Sequence, residues 1–514
     1  MKAIQFIDTR SHYIIPVVLF IGSFLIYSYN LEGQPWHGDE INYLGWAGNY
    51  IHLIKNGDLV NSCLLSIDNC NLLYHIPAHG ATYSPIRMLL IGIPLGIKNY
   101  DGGNFYDWSC YWFSCYDSHN GPTIEQMTTG RLFSPIFGSF TIVISFLIGK
   151  ILFNRNVGIV ASLLFLFYDL WIWYSRTIMT EVHYIFFSML ALLLLLYAFK
   201  TEKPKIIYLV LGAVTFGFAL TSKLLAVEFS ILFIGVILFK SFKKHSQTID
   251  KKHILKIGLF VFLFFVIAGF SFVATAPGFY KNPLGQISLM KSDMDNYNRD
   301  VWFIGYPTIH GLDIVRVTSL FHFILFPSII QYHIFEPYIN MGFNYSWSNP
   351  PTYSSIALTI FFFIGLWYLI KNVIKSKDRS AEAILLVWFV STFIFTLLMA
   401  RDFRLERYLM PLLISVIFVA AYGFWNFIKG IPHNKLKISF TSYFIFSHSM
   451  TALFYWQKIY FSYGTFWFNP LSFGTLQQSI ENPITFFVNV TFVGFFILMI
   501  MIRLRKRIEP LATA

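Results

Sequence analysis

Apolar runs long enough to cross a lipid bilayer recur along the whole chain, and no other feature restricts the fold as strongly. A membrane helix needs roughly 20 apolar residues, and its backbone groups must be hydrogen-bonded within the segment because lipid offers no partners. By that measure about twelve runs qualify: 13–29, 132–153, 157–174, 183–199, 206–221, 224–240, 254–273, 353–371, 381–399, 408–428, 438–456 and 484–502. The expected fold is therefore all-α, a multi-pass bundle of about 12 transmembrane helices. Composition agrees: the 514 residues are 56% hydrophobic and only 12% charged, with a mean hydropathy of +0.57. A soluble enzyme of this length carries about twice that charge. The first run is followed by an acidic stretch rather than a small-residue cleavage site, so it reads as a retained helix.

Lys and Arg in short loops orient such a bundle. The segments at 200–205, 240–256, 371–379, 429–437 and 503–507 are all rich in them, and threading the runs puts all five on one side with the N-terminus. Both termini are thus expected in the cytoplasm. The net charge of +12 is accounted for by these loops and does not argue for nucleic acid binding. Blocks near 84–97 and 317–332 are apolar, but making either a span would invert every later loop. They are expected to be helices lying in the outer interface. The organisation that follows is a first membrane helix over 1–29, an outer loop over 30–131, and membrane helices over 132–273. A second long outer loop covers 274–352, and C-terminal membrane helices cover 353–514.

All four cysteines, Cys63, Cys70, Cys110 and Cys115, fall in the first outer loop. That confinement predicts disulfides formed in an oxidising compartment. Local pairing, Cys63–Cys70 and Cys110–Cys115, is the simplest connectivity. A zinc site is the alternative, though the spacings differ from those of ribbons and fingers.

Ionisable residues in membrane helices are costly and mark function by default. Here they gather at the outer ends of the runs: Asp169 and Arg176, Glu181 and His183, Lys223 and Glu228, Arg407 with Tyr408. Taken singly each could snorkel to the interface, the reading adopted for Arg176. Together they describe a mixed-charge cavity opening outward, with Asp39 and Glu40 of the stretch "QPWHGDEINYLGWAGNYI" over it. Arg87, Arg131, Lys223, Arg401, Arg404 and Arg407 could hold a phosphate through charge-assisted bonds. A carboxylate could then take the proton of an attacking hydroxyl or amine.

The order of these features resembles the GT-C polyprenyl-phosphate-sugar glycosyltransferases, in particular protein O-mannosyltransferases and the lipid A aminoarabinose transferase. "GDEINYL" at 38–44 looks like the acidic pair after the first membrane helix. "YSPIRMLLIGIPLGI" at 83–97 is similar to the Pro-containing motif and its interfacial helix, with Tyr83-Ser84 where His-Pro is usual. "GRLFSPIFG" from 130 onward resembles the second and third helices, and "YSRTIMTEVHYIFFSML" at 174–190 carries the second acid, here Glu181. "FALTSKLLAVEF" at 218–229 looks like the Thr-Lys segment with a Ser before Lys223, and "RLERYLMPLL" at 404–413 like a late Arg-Tyr motif. The resemblance covers residues 10–240 well and 380–430 loosely.

The resemblance implies an inverting transfer of a sugar from a polyprenyl phosphate to a lipid, glycan or protein acceptor on the non-cytoplasmic face of a cell or endoplasmic-reticulum membrane. Asp39 would be the general base, and Glu40 would orient it, bind a metal or hold the loop. Glu181 is the second acid, and Arg87, Arg131, Lys223, Arg404, Arg407 and Tyr408 are the donor-phosphate set. No cofactor is assigned with certainty; a divalent ion on His37, His75 and His79 is the alternative to hydrogen-bonded loop histidines. The rival function is a transporter or flippase of a lipid-linked sugar. That reading calls for internal repeats and midplane charges, and the sequence shows neither.

Overall fold

The computed structural model describes residues 2–33, 38–57, 85–100, 122–201, 204–242, 251–276, 279–280, 284–285, 288, 356–375, 380–399, 409–466, 488 and 491–504. Among them regular structure is helical throughout. The chain divides into two compact units, one of Met1–Ile144 with Trp173–Thr308, the other of Ser145–Ile172 with Ile309–Ala514.

The first unit contains α1 (Lys2–Ser28), α2 (Gly38–Lys55), α3 (Pro85–Ile97) and α4 (Ile124–Arg131), followed by the start of α5 (Phe133–Leu152). After α6 (Arg155–Leu166) and α7 (Asp169–Tyr174), it resumes with α8 (Thr180–Ala198) and α9 (Ile206–Ser222). A 3-10 turn, Leu224–Glu228, leads into α10 (Phe229–Phe242), and α11 (Lys251–Thr275) follows. α9 packs between α8 and α11, and α2 pairs with α3. α8 is buried almost all round, as an apolar helix at the centre of a membrane bundle should be. α11 differs: Leu255, Leu259, Phe262, Val266 and Phe270 are exposed along one stripe at helical spacing, the face a membrane helix turns to lipid.

The second unit is built around α14 (Met410–Ile428), nearly every residue of which is buried. α6, α12 (Ile356–Lys375) and α13 (Ser380–Met399) pack against it, and α15 (Asn434–Phe466) lies on α6 and α12. α16 is Thr491–Leu504. Gly365 of α12 faces Gly423 of α14, and a Cβ on Gly423 would strike the α12 backbone at Phe361 and Gly365. Without a hydrophobic driving force between helices in lipid, such close backbone approach is how membrane helices gain packing energy.

Among the described residues seven helices are long and apolar enough to cross a membrane: Ile124–Leu152, Thr180–Ala198, Leu224–Ser241, Ile254–Thr275, Ile356–Lys375, Ser380–Leu397 and Met410–Ile428. Shorter apolar helices coincide with the expected runs near 13–29, 157–174, 206–221 and 484–502. The protein is thus a multi-pass membrane protein. One run is interrupted: 157–174 becomes α6 and α7, because the chain turns at Phe167–Tyr168 before Asp169. The 84–97 block is a 13-residue helix, too short to span and packed on α2. The 317–332 block and all four cysteines lie outside the described residues.

Candidate active site

The acidic pair opens α2, where a helix N-terminus favours negative charge. Asp39 lies in the first turn; its side chain is outside the described set. The side chain of Glu40 is 0% exposed and is gripped from two directions. Arg131 donates Nε–H to Oε1 at 2.9 Å and Nη2–H to Oε2 at 2.7 Å. The backbone N–H of Ile178 donates to Oε1 at 2.6 Å. Arg131, itself 0% exposed, donates Nη1–H to the Leu31 carbonyl at 3.0 Å. This planar fork-to-fork pairing is the strong form of an ion pair, and it needs the guanidinium geometry that Lys lacks.

Local sequence explains how Arg131 arrives there. Thr123 and Gln126 form a capping box that starts α4, and Arg131 closes it at the end where a cation is favoured. Gly130 lets α4 come close: a Cβ there would lie 2.5 Å from Leu44 Cδ1 and 2.8 Å from Ile178 Cδ1. Leu44, Met127 and Ile178 belong to one apolar cluster with Ala47, Tyr50, Met88, Ile91 and Leu95, which clamps α2, α3 and α4 together.

A second acid–base pair stands at the start of α8. Lys223 donates Nζ–H to Glu181 Oε1 at 2.6 Å, and the Thr180 hydroxyl donates to Oε2 at 3.1 Å. Glu181 is 0% exposed and Lys223 18%, so the ammonium is the reachable end of the pair. Lys223 is in extended conformation between α9 and the 3-10 turn (φ −162°, ψ 127°), and the Tyr184 ring lies 5.7 Å from its Nζ. Arg87 is buried on α3, its guanidinium 4.0 Å above the Tyr43 ring. α3 is held against α2 by Lys55, whose Nζ donates to the Gly96 carbonyl at 2.7 Å. Beyond α3, Lys98 Nζ reaches Glu125 at 2.9 Å, and this hydrogen bond raises the lysine's pKa. α3 also packs on α9, which ends at Lys223.

The first unit therefore carries Asp39, Glu40, Arg87, Arg131, Glu181 and Lys223. Arg401, Arg404, Arg407, Tyr408, His37, His75 and His79 lie outside the described residues. Among the described residues no group of three His, Cys, Asp or Glu side chains is placed to hold a metal ion.

Arg176 corrects the sequence reading. It is fully buried rather than snorkelling. Its Nη1 donates to the Ile26 and Tyr27 carbonyls at 3.0 and 3.2 Å, and its Nη2 to the Asn30 carbonyl at 3.2 Å. The last carbonyls of a helix have no intrahelical donors, and Arg176 supplies them at the end of α1. An Arg placed directly before a Thr-Ile-Met-Thr break gave no sequence cue, because its partners lie about 150 residues away.

The described geometry defines a class, an all-helical membrane protein with paired acids and bases gathered in one unit. Residues 111–278, about a third of the chain, match the family model described as dolichyl-phosphate-mannose-protein mannosyltransferase. Two solved structures are similar at low identity. The apo oligosaccharyltransferase of Archaeoglobus fulgidus shares 13% identity at a TM-score of 0.49, covering 88% of this chain and 56% of its own. ArnT from Cupriavidus metallidurans, in the apo state, shares 12% identity at a TM-score of 0.46, covering 94% and 76%. The chain thus spans little more than half the length of the archaeal enzyme. No curated protein matches the sequence.

Proposed function

We propose that the protein is a membrane glycosyltransferase that moves a sugar from a polyprenyl-phosphate carrier to a lipid, glycan or protein acceptor on the non-cytoplasmic face. The observation that carries this reading is that Glu40, the second acid of α2, is already held by Arg131 and Ile178. With those partners Glu40 holds the first turn of the helix in place. Asp39, its neighbour, is the acid assigned to the chemistry. The family match over 111–278 supports the transfer of a sugar from a lipid phosphate.

On this reading the acceptor hydroxyl or amine gives its proton to Asp39 as it attacks the anomeric carbon. The bond to the phosphate oxygen breaks on the opposite face, so the configuration inverts in a single displacement. Lys223 and Arg87 of this unit bear positive charge toward the departing phosphate, with Arg404 and Arg407 assigned to the same role. Fixed charge in a site of low dielectric is worth several kcal/mol to a developing anion. Glu181 holds Lys223 and would keep it directed at the phosphate.

The test is transfer of label from radiolabelled polyprenyl-phosphate sugars into a lipid and protein extract, with wild type and Asp39→Asn side by side. Asn keeps size and hydrogen bonding but removes the basic oxygen. General-base catalysis is worth about 10²–10⁴-fold, so transfer is expected to fall by that factor while donor binding survives. Near wild-type transfer by the variant ends the assignment of Asp39, and no transfer by either protein ends the assignment of the reaction.

A further inference from the structure

Glu228 is a buried acid that the site described so far does not use. It closes the 3-10 turn Leu224–Glu228, whose first neighbour is Lys223. The turn packs against α8, the helix bearing Glu181, as well as α9 and α10. Glu228 is only 2% exposed. Among the described residues the other two buried carboxylates of this unit are matched: Glu40 takes three N–H donors, and Glu181 takes Lys223 and Thr180. Glu228 has no such set. Its Oε2 is enclosed and meets no hydrogen-bond donor among the described residues.

A carboxyl enclosed at the start of a membrane helix without donors is costly, and in either protonation state a carboxyl oxygen is left to accept hydrogen bonds. What would complete it must bring donors. An ionised phosphate is unsuitable, since it brings no donor. A sugar carried on that phosphate is suitable, because its ring hydroxyls offer adjacent O–H donors next to the group that Lys223 would hold. Resting on the function proposed above, we propose that Glu228 is a specificity-determining residue whose carboxylate accepts hydrogen bonds from hydroxyls of the sugar on the polyprenyl-phosphate donor. Sites built to bond a hydroxyl discriminate strongly against ligands lacking it, since their polar groups are then left unmatched.

The experiment measures binding of dolichyl phosphate, dolichyl phosphate mannose and dolichyl phosphate glucose to the full chain in lipid nanodiscs. Wild type is compared with Glu228→Leu, Glu228→Gln and Lys223→Ala. Wild type is expected to prefer at least one sugar-bearing lipid over the bare phosphate. Glu228→Leu should erase that preference by about tenfold or more, leaving affinity for dolichyl phosphate within about twofold. Glu228→Gln, which keeps the side chain's shape and one accepting oxygen, should retain part of it. Lys223→Ala should weaken all three lipids alike. A wild-type ratio of sugar-bearing to bare lipid in both Glu228 variants overturns the proposal, as does a wild type that binds all three equally. Binding of none of the lipids by wild type overturns the donor reading itself.

Discussion

Glu40 and Lys223 show how much of this site is settled by which charges meet. Glu40→Gln removes one charge of a buried pair and leaves Arg131 uncompensated at 0% exposure. Breaking such a pair is worth about 3–5 kcal/mol, so the variant should unfold at lower temperature in detergent. A double variant, Glu40→Leu with Arg131→Met, should recover a good part of the loss, since it removes both charges together. Thermal midpoints of wild type, Glu40→Gln and the double variant decide the matter: equal loss in the single and double variants would deny the pairing its energetic weight. Lys223→Ala makes a different prediction. If Lys223 stabilises the departing phosphate, turnover falls by about a hundredfold, with a smaller change in thermal midpoint than Glu40→Gln. Unchanged turnover would reduce Lys223 to a partner of Glu181.

At the scale of the helices, two contacts carry predictions. Arg176 is the donor for the last carbonyls of α1. Arg176→Met fills similar space but leaves those carbonyls without a donor in a buried setting, a loss of about 1–3 kcal/mol per group. The expected result is a lower thermal midpoint and faster proteolysis after residue 28, and Arg176→Lys should rescue only part of it because one ammonium cannot span three carbonyls. In the second unit, Gly423→Leu places a side chain against the backbone of α12 at Phe361 and Gly365. The two helices must then separate, and the full-length protein should lose its unfolding transition. Gly258 is the control, because a Cβ there meets nothing within 4 Å.

For the whole molecule the expectation is topological. Lys and Arg predict both termini in the cytoplasm, with 30–131 and 274–352 outside. A cysteine introduced at Ser246 should stay unmodified when intact cells meet an impermeant thiol reagent, and labelling there would reverse the orientation. The native cysteines carry a linked expectation. Mass spectrometry should find Cys63, Cys70, Cys110 and Cys115 unavailable for alkylation until a reductant is added, and alkylation of all four beforehand would exclude the disulfides.

The membrane class was legible from sequence because it rests on local quantities: runs of apolar residues, and helices whose backbone bonds close within each run. The motif order over 130–240 was legible for the same reason, and the family match falls on it. The pairing of charges was not. Arg131 looked like one more cation for a phosphate, yet it lies on Glu40, 91 residues earlier in the chain. Arg176 looked like a snorkelling side chain, yet it closes the end of α1. A burial pattern fixes which face of a helix turns inward, but a long side chain finds its partner only when distant segments are brought within 3 Å. Which buried acid is matched and which is left wanting donors, Glu40 against Glu228, is therefore a property of the tertiary structure alone.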